Sequence, residues 1–132
     1  MRRLRLAAGP AITAVLLLAA CGEDDGSATT AKGPTRTVEI VATEYAFAGD
    51  PGDAIVAGET IRFAVSNGGE LIHEMQVLDG DGKLLDRTAE IPPGGRDEVT
   101  VTFEEPGVYQ VICDVDDHLS RGQQARFDVA EP

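Results

Sequence analysis

One cysteine and two histidines hold most of the chemistry open to this chain. Tyr109 to Gln123 reads Y-Q-V-I-C-D-V-D-D-H-L-S-R-G-Q. Cys113 closes an alternating run of Tyr109, Val111 and Cys113. His118 follows five residues later, and Gln123 five after that. The other histidine, His73, stands forty residues before Cys113 in L-I-H-E-M-Q-V. One thiolate and two imidazoles are the donors of a trigonal copper site, with Met, Gln or a backbone oxygen as a weak fourth donor. Such a set suits both Cu(I) and Cu(II). Cysteine binds as thiolate and histidine as a neutral ring, so metal uptake displaces protons. The Cys113–His118 loop is short enough to return a second donor to the same ion. A neighbouring strand carrying His73 would complete the plane.

Parity selects the fourth donor. Gln123 shares a face with Ala125, Phe127 and Val129 when the last strand is continued backwards, whereas Gln124 falls on the polar face. Gln123 is therefore the expected axial group. Met75, two residues from His73 on the same face, stands about 6–7 Å along the strand and reads as packing. An amide oxygen is harder than a thioether sulfur. It favours Cu(II) and lowers the reduction potential.

The lone thiol gains meaning from the N-terminus. Arg2, Arg3 and Arg5 precede a mostly apolar stretch, Ala11 to Ala20, too short to span a bilayer comfortably. It ends in Leu18-Ala19-Ala20-Cys21, which resembles a bacterial lipobox. That resemblance implies a signal peptide over 1–20, lipid on Cys21, export, and anchorage to the extracytoplasmic face of a bacterial membrane. With Cys21 lipidated, Cys113 has no disulfide partner. It is then either a small buried apolar residue or a metal thiolate, and His118 five residues on favours the metal. Residues 21–35 are small, polar and aperiodic, and read as a flexible linker. The domain is expected over 36–132. The full chain carries a net charge of −12, and losing the three leader arginines makes it more acidic still. Nucleic acid is excluded as a partner, and a basic protein is favoured.

The intervening pattern is of short strands. Val38, Ile40 and Ala42 alternate with polar neighbours, and Tyr45 and Phe47 continue the spacing as expected core anchors. Ala54 to Val56, then Ile61, Phe63 and Val65, follow. Leu71 to Leu78 is an expected strand with His73, Met75 and Val77 facing inward. Leu84 to Arg96 reads as irregular. Val99, Val101 and Phe103, then Tyr109 to Cys113, then Gln124 to Val129, complete about seven to eight strands. Turns such as Gly49-Asp50-Pro51-Gly52 and Pro92-Pro93-Gly94-Gly95 separate them. With no helical period, this predicts an all-β antiparallel sandwich, Greek-key in connection. Asp79-Gly80-Asp81-Gly82 is turn chemistry and lacks the later ligands of a calcium loop.

From about Thr37 to Val129 the chain resembles the cupredoxins of plastocyanin and azurin type. The motifs are Asn67-Gly68 ahead of Ile72-His73-Glu74, then Pro106-Gly107-Val108-Tyr109, then Cys113 to Gln123 with Gly122. The resemblance implies one copper per chain held by His73, Cys113 and His118, and single-electron transfer to a redox partner protein. It departs from the usual pattern in three places. Gln123 replaces the axial Met, as in stellacyanin-type members. Asp116-Asp117 stand where Pro-Gly is common, and Glu74 stands where Asn is. The reading is of a monomeric electron carrier rather than an enzyme, because two histidines cannot build a second copper site. Other readings are a binding module of the same fold without working redox copper, and a copper storage or delivery protein.

Overall fold

Side chains alternate across a strand, so a run with every second residue apolar buries one face. The computed structural model describes Gly33 and residues 36–49 and 54–132. The expected leader, Cys21 and nearly all of the expected linker lie outside the described residues. Among the described residues there are nine strands: β1 (Arg36–Thr43), β2 (Ala46–Ala48), β3 (Ile55–Val56), β4 (Thr60–Asn67), β5 (Gln76–Leu78), β6 (Leu84–Arg87), β7 (Arg96–Thr102), β8 (Gly107–Ile112) and β9 (Gln124–Ala130). They form a four-stranded sheet in the order β2-β1-β4-β7 and a five-stranded sheet in the order β3-β9-β8-β5-β6. The result is the expected all-β sandwich.

The alternating residues fill the space between the sheets. Val38 and Ala42 come from β1, Ile61, Phe63 and Val65 from β4, Val99 and Val101 from β7, Tyr109 and Val111 from β8, and Val129 from β9. Phe103 has no exposed surface. Its ring meets Tyr109 edge-on at 4.9 Å, Phe127 at 5.6 Å and Phe63 at 6.3 Å. The Tyr109 hydroxyl donates to the Glu105 carbonyl at 2.8 Å, which satisfies the one polar atom of that ring at the edge of the cluster.

Four expectations are corrected. The sheets are mixed, because β1 runs parallel to β4 and β3 parallel to β9. The chain leaves the first sheet after β2, gives β3 to the second, and returns as β4 in the direction of β1. The strand expected over Leu71–Leu78 shrinks to β5, with His73 in a single bridge to Ile91. Leu71 and Ile72 remain exposed there, and the Glu74, Gln76 and Leu78 face is buried as well. The segment expected to be irregular holds β6 and the start of β7. β6 is exposed along its whole length and so shows no alternation. Tyr45 is not a core anchor. It lies in the β1–β2 turn with φ 66°, a left-handed conformation unusual for a bulky side chain.

Candidate metal centre

Strand pairing delivers the donors. β5 and β8 are antiparallel neighbours with Gln76 opposite Ile112, so the segment just before β5 runs beside the residues just after β8. His73 and Cys113 are in those two segments. β8 and β9 pair Ile112 with Gln124, and the ladder extends one residue further, with the Cys113 N–H donating to the Gln123 carbonyl at 3.1 Å. Gln123 is thereby fixed beside Cys113. Its side chain is fully buried while Gln124 is exposed, as parity required.

The return loop is a compact series of turns. The His118 N–H donates to the Val115 carbonyl, and the Gly122 N–H to that of Leu119. The N–H groups of Arg121 and Gln123 both donate to the His118 carbonyl. Gly122 has φ 101°, a region open to glycine and strained for any other residue. The Arg121 Nε donates to Asp117 Oδ2 at 2.7 Å. Asp114, Asp116 and Asp117 point to solvent, so the acidic loop leaves the donors unobstructed.

His73, Cys113 and His118 are all buried, and one ligand atom from each lies within 4.8 Å of the others. Cys113 Sγ is 3.5 Å from His118 Nδ1, and the two imidazole centroids are 4.9 Å apart. A trigonal ion bonded at the roughly 2.0–2.3 Å usual for imidazole and thiolate needs donors about 3.5–4 Å apart. A group of unpartnered buried atoms gives the second test. Among the described residues, His73 Nδ1, His73 Nε2 and Gln123 Oε1 make no hydrogen bond. Buried polar atoms are ordinarily satisfied, and an ion among them would satisfy those facing it. The donor set fits one copper per chain.

Without metal, burial above all pushes the Cys113 thiol up, with the nearby Glu74 and Asp114 carboxylates adding to it. Backbone N–H groups of Glu74 and Val115 oppose the shift. The Glu74 N–H lies 3.5 Å from Cys113 Sγ. Glu74 itself is buried, and accepts from Gln76 Nε2 at 2.7 Å.

Three residues bear on the site in ways the sequence did not indicate: Asn67 was read only as part of a motif, Tyr45 as a core anchor, and Glu44 not at all. Asn67 is buried at the end of β4. Its Nδ2 donates to the Leu71 carbonyl at 2.7 Å and the Ile91 carbonyl at 2.8 Å, while its Oδ1 accepts from the Gly69 N–H at 2.8 Å. It thus ties down the loop that carries His73. An Asn67→Ala protein is expected to lose about 1–3 kcal/mol, since the buried Ile91 carbonyl keeps only one partner and the loop loses its clamp. Urea unfolding of the metal-free protein measures this, and an unmoved midpoint would contradict the clamp. The other two residues are Glu44 and Tyr45. Glu44 accepts from the N–H groups of Glu70 at 2.7 Å and Leu71 at 2.9 Å. The Leu71 and Glu70 bonds hold its carboxyl down at about 2. The Tyr45 ring stands edge-on to His118 at 5.4 Å.

Residues 11–123 match the family model of the cupredoxin-like domain, and the chain belongs to that family. Solved structures share its fold. Auracyanin from Roseiflexus castenholzii is 21% identical, with a TM-score of 0.63 over 74% of this chain and 99% of that one. Auracyanin A from Chloroflexus aurantiacus, described as a "blue" copper protein, is 20% identical, with a TM-score of 0.60 over 76% of this chain and all of that one. A multicopper oxidase from Campylobacter jejuni is 13% identical, with a TM-score of 0.58 over 79% of this chain and 31% of that one. No curated protein matches the sequence.

Proposed function

We propose that this chain is a type 1 copper protein that carries single electrons, anchored at the extracytoplasmic membrane surface by lipid on Cys21. The observation that carries the reading is the buried trio of His73, Cys113 and His118 with mutual donor spacings suited to one trigonal ion. Bound copper supplies the one-electron couple. Cys113 would hold it as thiolate and His73 and His118 as neutral rings, and Gln123, whose buried Oε1 makes no hydrogen bond among the described residues, would be the weak fourth donor. The two sheets keep these donors in place, so little rearrangement accompanies a change of charge. Burial of all three also favours retention of the ion over its storage or delivery to another protein. The acidic surface favours a basic redox partner.

The test is a Cu(II) titration of the purified protein, followed by visible absorption and metal counting. An intense thiolate-to-copper band at one copper per chain is the expected result. A folded protein with a free thiol, no band and no stoichiometric copper would overturn the reading. Replacing Gln123 by Met tests the axial role. A softer sulfur favours Cu(I) and raises the potential by about 59 mV for each tenfold shift in relative affinity. An unchanged potential and spectrum would remove Gln123 from the site.

A further inference from the structure

We propose that the β1–β2 turn, Glu44-Tyr45, is a positioning clamp that orients both histidine ligands from outside the metal-binding loops. The inference rests on the copper reading above and extends it to two residues outside the ligand set.

Glu44 acts on His73. Its Oε1 lies 3.5 Å from His73 Nε2, across a fully buried imidazole. That distance is long for a hydrogen bond, but Nε2 has no other partner among the described residues. The same oxygen accepts from Glu70 and Leu71, so the carboxylate is locked to the loop that carries His73. A ring whose Nε2 faces a carboxylate keeps its proton there, which leaves the Nδ1 lone pair as the one free to bind an ion. A carboxylate behind a ligating imidazole fixes tautomer and orientation and makes the ring a stronger donor.

Tyr45 acts on His118. The rings are 79° apart with centroids at 5.4 Å, and the Arg121 guanidinium carbon lies 5.1 Å from the Tyr45 centroid. Arg121 is itself held by Asp117. Arg121, Tyr45 and His118 therefore form a chain of contacts, and His118 keeps only 2% of its surface exposed. Tyr45 reaches this place by adopting φ 66° in a turn where glycine would be unstrained. Backbone strain of this kind persists where surrounding structure demands it, and it concentrates at functional sites. Two adjacent residues of one turn thus reach the two imidazoles that come from different parts of the chain.

Glu44→Gln separates electrostatics from architecture, because an amide oxygen still accepts from Glu70 and Leu71. Copper titration and voltammetry of this variant are expected to show the thiolate band retained, and Cu(II) affinity about tenfold lower relative to Cu(I). That fold-change corresponds to a rise of about 59 mV in potential. Unfolding of the metal-free protein should be little changed. Tyr45→Gly relieves the strained φ and uncovers His118. It should fold normally and lose copper to a chelator at least about tenfold faster. Unchanged affinity ratio and potential in Glu44→Gln would overturn the His73 half. An unchanged release rate in Tyr45→Gly would overturn the His118 half. A readout independent of copper comes from nitrogen NMR of the metal-free full chain. His73 should be the Nε2–H tautomer in the wild type, and Glu44→Gln should shift the tautomer balance. If the wild type takes up no copper, the function reading fails while this measurement still decides the Glu44 contact. A wild-type Nδ1–H tautomer would overturn it.

Discussion

A Cys113→Ser protein will fold, show no visible thiolate band and bind copper more than about a hundredfold more weakly, beyond the usual cost of losing an outer-shell partner. The side chain has no exposed surface, so its replacement by a slightly smaller hydroxyl disturbs packing little. The loss is chemical. A serine hydroxyl does not ionise near neutral pH and is a poor donor to Cu(I). In the wild type, burial keeps the unloaded thiol protonated, so binding releases its proton. Below the raised thiol pKa, apparent copper affinity should climb about tenfold per pH unit from this group, and Cys113→Ser should lose that share of the slope. Titration under a competing chelator at several pH values measures both effects. A serine variant that keeps the wild-type band and affinity would sink the ligand assignment.

Phe103→Ala will cost about 3–5 kcal/mol, a large part of the roughly 5–15 kcal/mol that holds a domain folded. Phe103 is fully buried and meets three other rings, Phe63, Tyr109 and Phe127. Truncation removes those contacts and leaves a cavity between two sheets whose backbones cannot close on it. The aromatic cluster is in the body of the sandwich, and the donors are at the ends of β8 and β9 and ahead of β5. The substitution should therefore lower the denaturant midpoint sharply, while any protein that remains folded keeps its copper band. A loss of less than about 1 kcal/mol would mean that the core collapses around the site far better than this packing implies. Selective loss of the band with unchanged stability would place Phe103 in the site.

Much of this protein was determined by short-range pattern. The type and spacing of Cys113 and His118 specify the metal chemistry independently of the fold. Period-two alternation in β1, β4, β8 and β9 identified the inward faces, because one buried face is what makes such a strand worth forming. The same parity separated Gln123 from Gln124, and their burial agrees. Where a segment lacks that local signal, the sequence was silent. β6 has no buried face, and Leu71 and Ile72 look like strand residues but stay in solvent.

Only the tertiary structure decided what depends on distant segments meeting. The parallel pairings of β1 with β4 and β3 with β9 follow from crossings between sheets, which no local period encodes. His73 stands beside Cys113 because β5 pairs with β8. Asn67 is a clamp because Leu71 and Ile91 come within its reach. Glu44 and Tyr45 bear on the histidines because the β1–β2 turn folds over the metal loops, and Tyr45 does so in a backbone conformation its own side chain disfavours. Residue type and spacing supply the donors, but their orientation is a sum of long-range contacts, and those exist only once the chain has closed on itself.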